Sequence, residues 1–473
     1  MEQLGQLFFT SFIDWVWAWR WLIGLFFGIF VVRELWRLSA GERWHALLMF
    51  CYFFLIISTY WLIKPIKKAL FVGYYQESGW TFLGTHFNAA QVELFAKEIN
   101  LLLAILAAWF FVKLASYVKR EKLALSIIAL FAVGFFLFVL LFDQPGVLTR
   151  WMFYFYGDFF ATLMIAGFFA FLNDSGDSQM AKRLYGLIGL GGVLGGFFGS
   201  AVVAVYAKRL EPSYVAMIAI GALAVMAMTA WLAGKHIRPA FREEAQRTDV
   251  STGGASVGRD AVNLFRSSPY LIDIALVVGL YEMVSTIMDY QFTASILHFI
   301  PGEQLGGYFS SVFAFTNLVA LLLQLFLARI VLVHLGATKG LLILPVVALF
   351  GEIGFVLLPG LLIGSLLNTI DNAFAYSINQ SSKEALYVPL ASRQKYIGKG
   401  VIDIFILRSS KAIAGILGLL LTMFFTTFED MRWLSLIVLG LLIGWLMVIR
   451  HIHPLYHKMV RSPIEPSTDK NGG

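Results

Sequence analysis

Long apolar stretches recur along most of this chain, and short polar loops separate them. A helix needs about 20 mostly apolar residues to cross a lipid bilayer. Twelve stretches meet this requirement, at residues 45–63, 98–118, 123–142, 149–172, 183–206, 213–233, 270–297, 307–330, 337–358, 359–378, 400–425 and 432–449. The pattern therefore predicts an all-α integral membrane protein.

A polar segment at residues 234–268 divides the predicted spans into two groups of six. It is rich in serine, threonine, glycine and charged residues, so it lacks the apolar side chains of a core. We predict an N-terminal half at 41–233, a cytoplasmic linker at 234–268, a C-terminal half at 269–450 and a cytoplasmic tail at 451–473. Two six-helix halves joined by a basic loop are typical of a major-facilitator-type bundle, whose substrate binds between the halves.

A further apolar stretch at residues 8–36 precedes these spans. Asp14 and Arg20 interrupt it, and several tryptophans crowd together there in the manner of a membrane-interface belt. The stretch either lies in the membrane surface or forms an additional span. We predict that residues 1–40 form an N-terminal membrane-associated helix outside the transport core.

Composition and charge agree with a membrane protein and indicate its orientation. The 473 residues are 59% hydrophobic and 14% charged, whereas soluble domains are about 25% charged. Most lysines and arginines lie in loops after even-numbered spans, and the positive-inside rule assigns those loops to the cytoplasm. Both ends of the helical body are therefore predicted to be cytoplasmic, in the cell inner membrane if the source is bacterial. The net charge of +7 is spread over loops, so no nucleic-acid partner is indicated.

Charged residues inside the apolar stretches are the main functional signal. A charge at the bilayer centre costs about 2.5–3.5 kcal/mol on insertion scales, so each must face protein or water. They are Lys64, Lys67 and Lys68 at the end of the first predicted span, Asp158 in the fourth, Glu282 and Asp289 in the seventh, Glu352 in the ninth, and Arg408 and Lys411 in the eleventh. Together they indicate a polar pathway through a helical bundle, as in a transporter.

The three lysines lie three and four residues apart, which puts Lys64 on the same helical face as Lys67 and Lys68. Like charges one turn apart repel, so an anion is their natural partner. Phosphate suits, because lysine binds it as a point charge. Alternatively, these side chains reach outward to the membrane interface.

The acidic and amide side chains each have two interpretations. Asp158, on a stripe with Tyr154, either pairs with a lysine of the first span or contacts substrate or a proton directly. The tenth span carries Asn368 and Asn372, whose amides suit recognition of a sugar or base but also serve in contacts between helices. Asn368, Asn372 and Tyr154 are secondary candidates for the substrate-binding site.

The seventh and eleventh spans offer a second set of charges. Glu282 and Asp289 are seven residues apart and share a helical face. They either bind a cation or proton, or neutralise Arg408 and Lys411. The fifth span is rich in glycine, but no strand precedes it and no Lys-Ser pair ends it. Its spacing at Gly195 and Gly199 predicts close helix packing rather than a nucleotide-binding loop.

Three motifs carry a family resemblance. The first span reads YWLIKPIKKALFV at 60–72, and the junction of spans four and five reads Asn173-Asp174 followed by AKRLYGLIGLG at 181–191. The junction of spans ten and eleven reads SKEALYVPL at 382–390 and GKGVID at 398–403. Over about residues 45–450 the chain resembles the nucleotide transporter family, the ATP/ADP translocases of plastids and intracellular bacteria.

The resemblance implies roles for a few residues. Lys67 matches a family lysine that contacts phosphate, Asp158 falls where the family usually has glutamate, and Lys411 falls at a family lysine. Lys64 replaces an expected arginine and Lys68 an expected aspartate. The seventh-span stretch that starts at Asp289 keeps the family's acid and loses a lysine, so a substrate other than ATP and ADP stays open.

We therefore predict a secondary transporter that moves nucleotides or a related anionic phosphorylated metabolite by alternating access, with ATP/ADP exchange as one form. Lys67, Lys64, Lys411 and Arg408 would hold the anion, and Asp158 and Asp289 would pair with them when the site is empty. Lys68, Glu282 and the residues named above as secondary candidates would support them. The alternative is a proton-coupled permease for a drug, peptide or siderophore.

Other classes of function are not indicated by the sequence. It has neither a catalytic or metal-binding cluster nor a substantial extramembrane domain, so no enzyme activity, metal or cofactor is predicted. The expected partners are a small anionic substrate and the lipid bilayer. The sequence leaves the oligomeric state undefined.

Overall fold

A computed structural model describes residues 2–118, 120–174, 178–207, 209–235, 264–266, 268–425 and 427–461. Most of the predicted linker, residues 236–263, lies outside this part of the chain, and so do residues 462–473 of the predicted tail. Residues 451–461, assigned above to that tail, continue the last helix.

The first part of the chain is helical except for one small hairpin. The helices are α1 (Glu2–Trp36), α2 (Ala40–Tyr75), α3 (Ala89–Tyr117), α4 (Arg120–Leu141), α5 (Val147–Asp174), α6 (Ser178–Tyr206) and α7 (Pro212–Lys235). The hairpin pairs β1 (Trp80–Phe82) with β2 (Thr85–Phe87) in antiparallel register between α2 and α3. Leu83 and Gly84 turn the chain with φ angles of 49° and 78°.

The second part is helical with several π-helical turns. Its helices are α8 (Pro269–Phe299), α9 (Leu305–Leu322), α10 (Ala337–Leu357), α11 (Leu361–Phe374), α12 (Gln380–Leu386), α13 (Ser392–Val401), α14 (Leu407–Thr422) and α15 (Arg432–Arg461). The π-helical turns are Leu323–Leu327 and Val331–Leu335 after α9, Ala375–Asn379 between α11 and α12, and Ile402–Ile406 between α13 and α14. Such turns are frequent at functional sites.

Eleven helical segments of the described chain are long and apolar enough to cross a membrane. They include the N-terminal stretch, as Gln3–Trp36. The predicted spans at 359–378 and 400–425 are helical but fall outside this set, and both carry the polar and charged side chains singled out above. The all-α membrane fold predicted from the sequence is thus confirmed.

The chain forms two compact units. The first comprises Met1–Ser251, Thr293–Leu321 and Gly360–Ser365, and the second comprises Thr252–Phe292, Leu322–Pro359 and Leu366–Gly473. The C-terminal end of α8 and nearly all of α9 therefore belong to the first unit. The division into halves by residue number, given above, stays a prediction.

Helix α1 packs against α6 and α9 within the first unit. Phe9 makes edge-to-face contacts with Tyr308 and Phe315, with ring centroids 5.8 and 5.6 Å apart. Trp17 contacts Tyr206 in the same way at 6.0 Å. Most of the remaining α1 surface is exposed and apolar, as expected of a helix that borders lipid.

The C-terminal end of α8 is held by a side chain from α2. The Nε2 atom of Gln76, immediately after α2, donates to the carbonyl oxygens of Leu297 and Ile300, at 2.8 Å each. The last carbonyl groups of a helix have no partner within it. One amide group thus satisfies two of them, and it joins the ends of two helices of the first unit.

Helices α2 and α6 approach each other closely through glycine. A Cβ atom at Gly195 would lie 2.6 Å from the Phe54 carbonyl oxygen, and one at Gly199 would overlap the Ser58 carbonyl group. Only residues without a side chain allow this approach. The packing role predicted for the glycine spacing is confirmed.

The close approach predicts that Gly199→Ala lowers the free energy of unfolding by about 1–3 kcal/mol, because the added methyl group forces the two backbones apart. The melting temperature of the detergent-solubilised protein measures this. Gly189→Ala is the matched control on the same helix, since a Cβ atom there meets nothing within 4 Å. Equal melting temperatures for the two variants would contradict the packing assignment.

Candidate functional site

The three lysines of the first predicted span lie well inside α2, because the helix continues to Tyr75. Lys67 and Lys68 are buried, with 4% and 5% of their surface exposed. Their ammonium groups contact protein groups of the first unit rather than the membrane boundary. The alternative in which these two side chains reach outward to the interface is therefore wrong.

Lys67 forms an ion pair with Asp158 of α5. Its Nζ atom lies 2.5 Å from Asp158 Oδ1 and donates to the Tyr154 carbonyl oxygen at 3.1 Å. Gly157 makes room for the lysine stem, since a Cβ atom there would lie 2.6 Å from Lys67 Cδ. Of the two interpretations of Asp158, the structure shows the ion pair with a lysine of the first span.

Asp158 is the more accessible member of this pair. Its side chain is 24% exposed, against 5% for Lys67. Its second oxygen, Oδ2, accepts a hydrogen bond from Asn100 Nδ2 at 2.7 Å. The carboxylate therefore has a partner on each oxygen and still faces space that a small solute or water can reach.

Lys68 pairs with a different acid, Glu93 of α3. The Lys68 Nζ atom lies 3.0 Å from Glu93 Oε1, and Lys97 Nζ lies 3.4 Å from the same oxygen. The Tyr154 hydroxyl also donates to it, at 3.3 Å. Because Tyr154 contacts both Lys67 and Glu93, it connects the two ion pairs.

Glu93 was missed from the sequence because the second predicted span begins at residue 98. The helix in fact begins at Ala89, where Asn88 and Gln91 form a capping box. The Gln91 backbone N–H donates to Asn88 Oδ1 at 3.0 Å, and the Asn88 N–H donates to Gln91 Oε1 at 2.8 Å. An Asn-x-x-Gln pattern before an apolar stretch is the signal that would have placed Glu93 on the helix.

Lys64 lies against aromatic rings. Its Nζ atom is 4.2 Å from the ring centre of Trp61 and 4.8 Å from that of Phe313 on α9. Both distances fit cation–π contacts. Although the three lysines share one side of α2, they contact three different sets of groups.

The second unit has an ion pair of its own, between α14 and α8. Lys411 Nζ lies 3.2 Å from Glu282 Oε2, with the lysine side chain half exposed and the glutamate buried. For Lys411, the structure thus shows the alternative in which an acid of the seventh span neutralises it. Asp289 is partly exposed on the same helix.

Arg408 differs from these lysines. Its Nη1 atom is buried, and no hydrogen-bond acceptor contacts it among the described residues. A guanidinium group donates through all of its N–H groups, so a buried nitrogen without an acceptor is unfavourable. An anion that reaches this atom would supply the acceptor.

Of the two amide side chains of the tenth predicted span, that of Asn372 is used inside its own helix, whereas Asn368 Oδ1 is buried with no hydrogen-bond partner among the described residues. Asn372 Nδ2 donates to the Asn368 carbonyl oxygen at 2.9 Å. Asp371, between them, accepts a hydrogen bond from Ser285 of α8 at 2.6 Å. Ser285 follows Glu282 by one helical turn, so Asp371 lies beside the Glu282–Lys411 pair and extends it.

The motif between spans ten and eleven forms two ion pairs within the second unit. Lys399 Nζ lies 2.6 Å from Glu384 Oε2, and Lys383 Nζ lies 3.8 Å from Asp403 Oδ1. They join α12 to α13 and to the π-helical turn before α14. The side chains of the motif around Asn173 lie outside the described residues.

Sequence comparison finds relatives along most of the chain. The family described as TLC ATP/ADP transporter matches residues 146–359 and 355–456. ADP,ATP carrier protein 1 of Chlamydia pneumoniae is 23% identical, over 89% of this chain and 93% of its own. ADP,ATP carrier protein 2, chloroplastic, of Arabidopsis thaliana is 22% identical, over 86% of this chain and 74% of its own.

Comparison with solved structures shows the fold. The nucleoside transporter NupG aligns with a TM-score of 0.56 and 12% identity, over 90% of this chain and 100% of its own. The POT family transporter PepTSo aligns with a TM-score of 0.59 and 12% identity, over 88% and 98%. Both are major-facilitator-like transporters, which confirms the predicted fold class.

Proposed function

Because this chain belongs to the TLC ATP/ADP transporter family, we propose that it carries a nucleotide or a related phosphorylated anion across the membrane by alternating access, with exchange of ATP for ADP as its reaction. It is a multi-pass integral membrane transporter. The orientation with both ends of the helical body in the cytoplasm is part of the proposal and follows from the charge of the loops. The membrane would be the inner membrane if the source is bacterial.

The Lys67–Asp158 ion pair is the observation that carries this proposal. A buried ammonium needs an anion beside it at all times. When the site is empty, the Asp158 carboxylate serves. A phosphate group that enters from the accessible side of the pair would take over as the partner of Lys67, because lysine binds phosphate as a point charge.

This substitution of one anion for another keeps Lys67 neutralised both with and without substrate. With Asp158 on Lys67, the empty carrier has no unpaired buried charge at this position, and with substrate on Lys67 it has none either. The unfavourable state is an intermediate in which neither anion neutralises the lysine.

The charges of the second unit support the proposal independently. The buried Nη1 atom of Arg408 has no acceptor among the residues that the structure describes. Lys411 has Glu282 as its resident anion, as Lys67 has Asp158. Within the second unit, we assign Arg408 and Lys411 to contacts with an anion, and Asp289, Asn368 and Asn372 to polar contacts with the solute. Within the first unit, we assign Tyr154 to the Lys67–Asp158 pair.

The relatives bear on the choice of substrate. Two of them, from Chlamydia pneumoniae and Arabidopsis thaliana, are described as ADP,ATP carriers. The resemblance implies a lysine, an acid and a second lysine at three positions, where this chain has Lys67, Asp158 and Lys411. The chain has Lys64 and Lys68 where an arginine and an aspartate are expected. Because of these two differences, uptake has to be measured for several phosphorylated anions.

Uptake of labelled ATP into proteoliposomes that hold the purified protein tests the proposal. We expect ATP to enter faster when ADP is enclosed than when the vesicles are empty, because exchange requires a substrate on each side. Vesicles without protein are the control. If neither ATP nor ADP enters vesicles that hold folded protein, nucleotide exchange is wrong and the fold serves another solute.

A further inference from the structure

Glu352 is a carboxyl group enclosed by three helices of the second unit. It lies on α10 and has no exposed surface. Its Oε2 atom is 3.5 Å from Gln291 Nε2 of α8, and that same nitrogen donates to Ser435 Oγ of α15 at 2.7 Å. Its other oxygen, Oε1, is buried and has no hydrogen-bond partner among the described residues.

This environment suits a carboxylic acid and not a carboxylate. An ionised carboxylate accepts several hydrogen bonds and is costly to bury without a cation. Glu352 has two neutral partners, the Gln291 amide at 3.5 Å and the Ser435 hydroxyl, and no cation among the described residues. A neutral carboxylic acid needs fewer hydrogen bonds and no cation, since protonation removes the charge.

The side chains that face Glu352 carry no charge, which leads to the same conclusion. It faces Gln291 from α8 and Ser435 from α15, and neither is charged. Within the described ranges, no lysine, arginine or histidine lies within 4.0 Å of its oxygens, and no other acid acts on it. By contrast, Asp158, Glu93 and Glu282 each lie within 3.2 Å of a lysine ammonium.

We propose that Glu352 is a proton-binding site that couples proton movement to transport. The residue binds a proton from water on one side of the membrane, is neutral while α8, α10 and α15 enclose it, and releases the proton to water when these helices separate. Gln291 and Ser435 are positioning residues for its carboxyl group. The inference rests on the proposed function only in that the protein is a transporter, and it does not depend on the solute.

Glu352→Gln tests the coupling, because glutamine has the shape of the protonated acid and cannot release a proton. Labelled ATP uptake is compared between equal pH on both sides and an imposed pH gradient of either direction, with and without a protonophore. We expect the gradient to change uptake by the natural protein, and this response to be lost in Glu352→Gln while exchange against internal ADP persists.

Glu303→Gln is the matched control, since Glu303 is exposed and should leave the gradient response unchanged. Glu352→Gln with a full gradient response would overturn the proposal. So would a natural protein that exchanges nucleotides and ignores the gradient.

A second measurement separates this inference from the nucleotide proposal. If ATP and ADP are both inert, infrared spectra of the purified protein still report the carbonyl stretch of a protonated carboxyl group. We expect this band at neutral pH to be stronger in the natural protein and in Glu303→Gln than in Glu352→Gln, and the difference between the spectra to disappear as pH is raised. Identical spectra for all three proteins, at every pH, would overturn the assignment without reference to any solute.

Discussion

Lys67→Gln is expected to abolish transport in a protein that still reaches the membrane. The substitution removes the ammonium that binds phosphate in our proposal and leaves a side chain of similar length. Truncating one partner of a buried charged contact costs about 2–5 kcal/mol, which corresponds to a loss of at least about 30-fold in transport. The initial rate of ATP/ADP exchange in proteoliposomes measures the loss.

The same substitution should also reduce stability, because it leaves the Asp158 carboxylate without its cation. Breaking a fully buried pair costs about 3–5 kcal/mol, and the partial exposure of Asp158 makes the cost here smaller. The double variant Lys67→Gln, Asp158→Asn removes both charges. We expect it to recover the melting temperature and not the transport.

These two variants separate a binding role from a structural one. If the double variant recovers transport together with stability, the ion pair serves only the fold. If Lys67→Gln alone exchanges nucleotides at the natural rate, then Lys67 is not an anion site, and the proposal fails at its main observation.

Arg408→Gln is expected to weaken substrate binding without loss of stability. Its buried Nη1 atom has no acceptor in the described structure, so the side chain donates no hydrogen bond through that atom which the substitution could remove. Hydrogen bonds to a charged group are worth about 1.5–3 kcal/mol. If the substrate anion supplies the acceptor, the apparent KM for transport should rise about 10- to 150-fold.

The melting temperature is the second readout for this variant. It should stay the same or rise, since an unsatisfied buried polar group is removed. Arg450→Gln is the matched control, because Arg450 is exposed on α15 of the same unit. A fall in melting temperature with an unchanged KM would show that Arg408 stabilises the fold and does not bind the solute.

The sequence predicted the helical membrane fold because lipid imposes it. Backbone groups inside a bilayer must be hydrogen-bonded within the chain, so long apolar stretches have few alternatives to a helix. The same reasoning identified buried charges such as Lys67 and Asp158, since a charge in an apolar stretch requires a partner. These inferences need only local composition.

Helix ends were less predictable, because tertiary contacts decide them. The first predicted span stops at residue 63, where the lysines begin, but α2 continues to Tyr75. Asp158 and Glu93 neutralise Lys67 and Lys68, so the helix can continue past these charges inside the protein. Since these acids come from other helices, no pattern within the first span reveals the extension.

The choice of partner for each lysine was also beyond the sequence. Lys67 and Lys68 are adjacent, and neighbours on a helix point about 100° apart. Lys67 therefore contacts Asp158 of α5, while Lys68 contacts Glu93 of α3. Only the arrangement of α3 and α5 around α2 determines which acid each one meets.

The hydrogen bonds from Gln76 to the end of α8 have a consequence for the motion of α2 and α8. The single amide group of Gln76 satisfies the carbonyl groups of Leu297 and Ile300, which lie at the helix end and outside the regular hydrogen bonds of the helix. If α2 moves away, water at the membrane boundary can hydrate those two carbonyl groups, whereas a similar separation deeper in the bilayer would leave polar groups bare. The contact between Gln76 and the end of α8 is therefore one that water can replace at low cost, so motion of the protein can break and re-form it.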